Sequence, residues 1–223
     1  MSVQLQRIAP HAGQTPGCIV LLPGVGQQPG DFLTAGFDAA LRERALPWEL
    51  ILAAPELAHL ADRSWLEALR EQVVEPAHAA GRSLWLGGIS MGAFMALRFA
   101  ARHPALVDGL CLLGPYLGNR IVAAEIARFD PLQSWEPGAL AEDEDERQIW
   151  RYVRNLHGPR PRMFLGFGRD DRFADTQRLL ARSLPSGSVA QIEGAHEWPA
   201  WRQLWDNFLD RHLAHTARVR TQP

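Results

Sequence analysis

The stretch "LWLGGISMGAFMALRFAARHP", Leu84 to Pro104, decides the fold. Its first half is an apolar run of strand character. Its second half carries Phe94, Leu97 and Ala101 on one helical stripe and stops at His103, before a proline that disfavours further helix. Between the two halves stands Ser90, with Gly88 two residues before it and Gly92 two after. A hydroxyl that must stand exposed above a sheet needs a sharp strand-to-helix turn, and neighbouring Cβ atoms would clash there. The pattern G-x-S-x-G supplies that room. A strand before it and a helix after it are the context that gives the pattern meaning, and both are legible here. Ser90 is therefore read as a nucleophile rather than as a small turn residue.

Outward from this point, short apolar runs alternate with helical periodicity along the chain. The strand candidates are "VQLQRIA", "CIVLL", "ELILAA", "SLWLGGI", "DGLCLL", "RMFLGF" and "SVAQIE". Such alternation predicts an α/β protein with a doubly wound, mostly parallel sheet. Among the helices, "SWLEALREQV" opens with Ser64 and Glu67 at capping-box spacing, which makes Ser64 a cap. The last helix places Trp201, Leu204, Trp205, Phe208, Leu209 and His212 on one stripe, a core face. The stretch from Gly114 to Pro161 is too long for a simple crossover and is expected to be a short helical lid inserted into a single domain spanning residues 1–223. Its run "EDEDE", followed by Arg147, Arg151 and Arg154, suits a helix with acid in its first turn. Tyr116, Leu117, Trp135 and Trp150 in this insertion are candidate substrate-pocket residues.

Composition narrows the chemistry. The 223 residues are 47% hydrophobic and 22% charged with a net charge of −2, which offers no polybasic surface for nucleic acid. All 23 basic residues are arginine. That removes a lysine nucleophile, a Schiff base and a phosphate-loop lysine together. No apolar run reaches the ~18 residues needed to span a membrane, and "MSVQLQRIAPHAGQTPG" has no apolar signal core, so a cytoplasmic protein is expected. Cys18 and Cys111 lie within apolar strand runs and read as buried free thiols. No Cys/His ligand spacing is present, so neither a metal nor an organic cofactor is implied.

A serine hydroxyl needs a base to take its proton and a carboxylate to orient that base. His196, in "QIEGAHEWPAW", sits just after the last strand, on the sheet edge where Ser90 emerges. His59, in the loop after "ELILAAP", is the competitor and a candidate for lining the pocket. In "RMFLGFGRDDRF" both Asp170 and Asp171 follow a strand. The G-x-x-D spacing from Gly168 favours Asp171, while Asp170 suits a cap or a neighbouring arginine. The N–H of Met91, in the first turn of the helix after Ser90, is free to face an oxyanion. The turn in "IVLLPGVGQQPG" brings the N–H of Val25 to the same place. The rival reading of Gly24, Gly26 and Gly30 as a dinucleotide fingerprint fails on its spacing and on the missing acid after the next strand.

The chain order Ser90, Asp171, His196, together with "LLPGVG", "GGISMGAFMAL", "FGRDD" and "GAHEWPAW", resembles the α/β-hydrolase superfamily, small carboxylesterases and thioesterases in particular, from Ile19 to His212. Two departures stand out: Pro23 precedes Gly24 where many relatives have histidine, and the short segment before "CIVLL" implies a reduced antiparallel edge. In that family's strand order the two cysteine strands are separated by the strand leading to Ser90, about 9–10 Å, too far for a disulfide. The resemblance implies a serine hydrolase acting on a small-molecule ester or thioester through an acyl-enzyme on Ser90. An acyltransferase using the same residues, or a non-catalytic small-molecule-binding protein of this fold, are the alternatives. The acyl chain, the leaving group and the oligomeric state are not legible.

Overall fold

The computed structural model describes residues 3–10, 15–55, 64–156 and 161–214. Seven strands form one sheet: β1 (Val3–Ile8), β2 (Gly17–Leu22), β3 (Glu49–Pro55), β4 (Ser83–Ile89), β5 (Gly109–Leu113), β6 (Arg162–Gly168) and β7 (Val189–Ile192). Their spatial order is β1-β3-β2-β4-β5-β6-β7. β1 runs antiparallel to β3, from Val3 opposite Pro55 to Ile8 opposite Leu50, and the remaining pairs are parallel. Each run read as a strand in the sequence is a strand here.

The core explains why the runs of the inner strands are continuously apolar. Strands covered on both faces must send alternate side chains into two separate cores. Val20, Leu22, Leu86, Leu110 and Leu112 point into one, whereas Ile19, Leu21, Trp85, Ile89 and Leu113 point into the other. Cys18 belongs to the first core and Cys111 to the second, so the two free thiols sit on opposite faces of the sheet as well as two strands apart. Burial pushes the Cys18 thiol up to about 11 and Cys111 well above its ordinary value, which keeps both in the unreactive protonated form.

One face is covered by α1 (Pro29–Thr34), α2 (Phe37–Glu43) and, later in the chain, the helix Trp198–Phe208. The other face is covered by α3 (Ser64–Leu69), α4 (Glu75–Ala79), α5 (Met91–Arg102) and the segment between β5 and β6. α3 passes into α4 through a π-helical turn, Arg70–Val74. Pro76, lacking an N–H, cannot serve the Gln72 carbonyl four residues back, and the Arg7 guanidinium donates to that carbonyl at 3.4 Å instead.

The segment between β5 and β6 contains α6 (Arg120–Ile126), a 3-10 turn at Leu132–Ser134 and α7 (Asp145–Arg154). Asp145 and Glu146 lie in the first turn of α7 and Arg151 and Arg154 in its last, the polarity that complements the helix dipole. α7 is tied to α5 by the ion pair of Asp145 with the buried Arg98, at 2.9 Å. Leu117, Trp135 and Trp150 are 1–2% exposed within the core that α5 shares. Deleting a buried Trp costs about 3–5 kcal/mol, so packing alone accounts for these residues. The two remaining helices are α8 (Ala174–Arg182) and α9 (Trp198–Phe208).

Candidate active site

Ser90 lies between the last residue of β4 and the first residue of α5, with φ 55° and ψ −114°. A non-glycine residue held at positive φ costs on the order of 1–3 kcal/mol and needs its surroundings to hold it there. Here the Ser90 N–H donates to Leu113 O at 3.0 Å, and the Ser90 carbonyl accepts from Phe94 N and Tyr116 N at 3.2 and 3.1 Å. The two flanking glycines are needed for contact, not only for conformation. A Cβ on Gly88 or Gly92 would lie 2.3 or 2.0 Å from Leu22 O, so the end of β2 presses directly on the elbow.

The loop leaving β2 continues through Pro23 to Val25. The Gly24 N–H donates to Gln27 Oε1 at 2.8 Å, and Gln27 N donates back to Gly24 O at 3.2 Å, closing the turn. Among the described residues no hydrogen bond uses the N–H of Val25 or of Met91. Both residues line one cleft of about 490 Å³, together with Gly24, Gln27, Ser90 and Tyr116.

The rest of the cleft lining comes from the loops after β6 and β7, with Arg172, Phe173 and His196, and from Trp201 in α9. His196 Nδ1 donates to Asp171 Oδ2 at 2.8 Å, and the other oxygen, Oδ1, accepts the Phe173 N–H at 2.8 Å. The Asp171 side chain is fully buried and that of His196 is 10% exposed. A carboxylate accepts and cannot donate, so Nδ1 carries the hydrogen and Nε2 of the neutral ring keeps its lone pair. Two rings fix the imidazole plane edge-to-face: Phe173 at 5.1 Å and 89°, and Trp201 at 4.9 Å and 90°. Beneath this pair lies Gly114, at φ 53° directly after β5. A Cβ there would stand 2.8 Å from Trp201 Nε1, 2.9 Å from Asp171 Oδ2 and 3.4 Å from His196 Nδ1.

The structure therefore brings Ser90, His196, Val25, Met91 and Tyr116 to one cleft, with Asp171 directly behind His196. Asp170 is exposed and makes no contact with His196. Of the expected pocket residues, Tyr116 lines the cleft; its ring meets Phe173 at 5.4 Å and its hydroxyl donates to Glu146. Burial and that bond raise the Tyr116 pKa, keeping the phenol neutral. Leu117, Trp135 and Trp150 do not line it: Trp150 Nε1 donates to Leu117 O at 2.8 Å and Trp135 Nε1 to Glu125 Oε1 at 3.0 Å, inside the core. His59 lies outside the described residues. Sequence reasoning missed Gln27, Gly114, Arg172, Phe173 and Trp201. Trp201 was hidden because the stripe that marks it as core is the same stripe that presses its ring on His196. Among the described residues no cluster of side chains could hold a metal ion, and no helix is long and apolar enough to cross a membrane.

No protein-family model and no curated protein matches the chain in sequence. Solved structures match it along nearly its whole length. A monoacylglycerol lipase from Paleococcus ferrophilus superposes with a TM-score of 0.62 at 16% identity, covering 96% of this chain and 99% of the lipase. The fluorophosphonate-binding serine hydrolase F of Staphylococcus aureus gives 0.64 at 14% identity, covering 92% and 90%. An S-formylglutathione hydrolase from Staphylococcus aureus gives 0.61 at 13% identity, covering 92% and 91%. The chain has the α/β-hydrolase fold. Within the α/β-hydrolase fold, β1 is the antiparallel strand at the β3 edge, and Val25, Ser90, Asp171 and His196 follow the carboxyl ends of the parallel strands β2, β4, β6 and β7. Identities this low carry the architecture and not the activity.

Proposed function

We propose that the protein is a serine hydrolase that cleaves a carboxylic ester or thioester through an acyl-enzyme. The Ser90 oxygen attacks the carbonyl carbon while His196 Nε2 takes the hydroxyl proton. Asp171 holds the ring and stabilises the imidazolium that forms. The N–H groups of Val25 and Met91 bind the oxyanion, each worth on the order of 10²–10³ in rate. As the tetrahedral intermediate collapses, the carbon–oxygen or carbon–sulfur bond breaks and His196 returns its proton to the leaving group. Water, activated by the same nitrogen, then frees the acid and restores Ser90.

The observation that carries this reading is the 2.8 Å bond from His196 Nδ1 to the buried Asp171, made in the cleft wall facing Ser90. The lipase, serine hydrolase and S-formylglutathione hydrolase names of the structural neighbours agree with it. The test is a series of p-nitrophenyl esters and acyl thioesters of increasing chain length, assayed with the wild type and Ser90→Ala. The variant should lose about 10⁴-fold or more in kcat and should no longer be labelled by a fluorophosphonate. Equal rates for the two proteins would remove Ser90 from the reaction.

A further inference from the structure

Among the described residues that line the cleft, Arg172 is the one arginine and none is a carboxylate. The neighbouring arginines are paired: Arg169, on the same loop, with Glu193, and Arg178, in α8, with Asp175, each at 2.8 Å. Among the described residues Arg172 has no ion-pair partner. Its guanidinium instead lies over the Phe173 ring, 4.9 Å from the centroid. That ring is itself wedged edge-on between His196 and Tyr116, so the platform under the guanidinium is fixed. A cation held on an aromatic face keeps its N–H edges free for a second partner.

Position selects which half of the substrate would meet it. Arg172 follows Asp171 and stacks on the ring that packs against His196, the residue that on the proposed reading returns the proton to the departing group. The opposite side of Tyr116 opens into a second cleft, of about 440 Å³, walled by Asp143, Glu144, Asp145 and Glu146 with Arg147. Arg147 is paired with Glu125 and Glu144, and Arg98 with Asp145, so the carboxylates there with no arginine partner among the described residues are Asp143 and Glu146. An anion is repelled on that side and attracted on the Arg172 side. The Asp171 charge lies behind the imidazole, and it is compensated when His196 is protonated in the transition state.

We propose that Arg172 is an anion-recognition residue and that the natural substrate carries a carboxylate or phosphate on its leaving-group half. This rests on the hydrolase reading above and specifies its substrate class. The test uses two acetate esters differing only in charge, 3-acetoxybenzoate and 3-acetoxybenzamide, beside a pair differing on the acyl half, p-nitrophenyl hemisuccinate and p-nitrophenyl butyrate. The wild type should prefer the benzoate over the benzamide by about tenfold in kcat/KM, the range of one partly exposed charge-assisted contact. Arg172→Gln should bring that ratio to about one, Arg169→Gln should leave it in place, and 0.5 M salt should shrink it. Equal turnover of the benzoate and benzamide by the wild type overturns the inference. So does an equal loss of preference in Arg169→Gln, or a preference confined to the acyl-half pair. If neither acetate is turned over faster than by Ser90→Ala, the hydrolase reading falls first and this falls with it.

Discussion

Gly114 offers a way to perturb the candidate site without touching any group that would react. Its φ of 53° is one that an alanine adopts at a cost of roughly 1–2 kcal/mol. The added methyl would also stand 2.8 Å from Trp201 Nε1 and 2.9 Å from Asp171 Oδ2, closer than carbon approaches such atoms without displacement. Overpacking of this kind costs a further 1–3 kcal/mol or so. Gly114→Ala should therefore lose about 2–5 kcal/mol of stability while remaining folded. Because the displaced atoms belong to the Asp171–His196 pair, hydrolysis should fall by about 10²-fold, the usual effect of misplacing a reacting group by an ångström. Gly81 supplies the control. It has φ 64° with nothing within 4 Å of a built Cβ, so Gly81→Ala meets the backbone cost alone. It should lower Tm by a few degrees, at about 2–4 °C per kcal/mol, and leave kcat/KM unchanged. Thermal melts beside p-nitrophenyl acetate kinetics separate the two variants. A folded Gly114→Ala that hydrolyses as fast as Gly81→Ala refutes the claim that this hydrogen-bonded pair carries the chemistry.

The adjacent aspartates should behave oppositely. Asp171→Asn should cost about 10³–10⁴ in kcat by presenting the wrong tautomer of His196, and Asp170→Asn should leave it within about twofold; equal effects on kcat would dismiss the assignment. His212 gives a pH test of stability. Its ring is boxed by Trp85, Phe164 and Phe208, and burial, then Arg162 and Arg211, push it down to about 4 from 6.5. The unfolded chain thus binds the extra proton between pH 6.5 and about 4, and stability falls as pH drops through that window. His212→Phe should flatten the decline of Tm between pH 7 and 5, and an undiminished decline in the variant would show that His212 does not cause it.

The inner strands were legible because they are buried on two faces, which forces uninterrupted apolar runs such as "CIVLL" and "GLCLL". The elbow was legible because close backbone approach at Gly88 and Gly92 excludes other residues. The two sides of α7 were not. Ile149, Trp150 and Val153 form a stripe whose period is the same whether it faces a cleft or a core, and only the placement against α5 shows the core. Leu117, Trp135 and Trp150, expected at the substrate wall, are buried in that core and do not line the cleft around Ser90. Arg172 and Phe173 escaped notice because a loop side chain has no periodicity; their sole signal was adjacency to Asp171.

The Leu22 carbonyl touches the space beside both Gly88 and Gly92, and Leu22 also begins the turn that presents Val25. Two amide donors 66 residues apart in sequence are therefore clamped by a single main-chain contact. Their spacing belongs to the scaffold, and side-chain replacement elsewhere has no handle on it. If Ser90 and these donors act as proposed, a change of appetite would be written at the rim, in residues such as Arg172 and Tyr116, while the scaffold beneath stays constant.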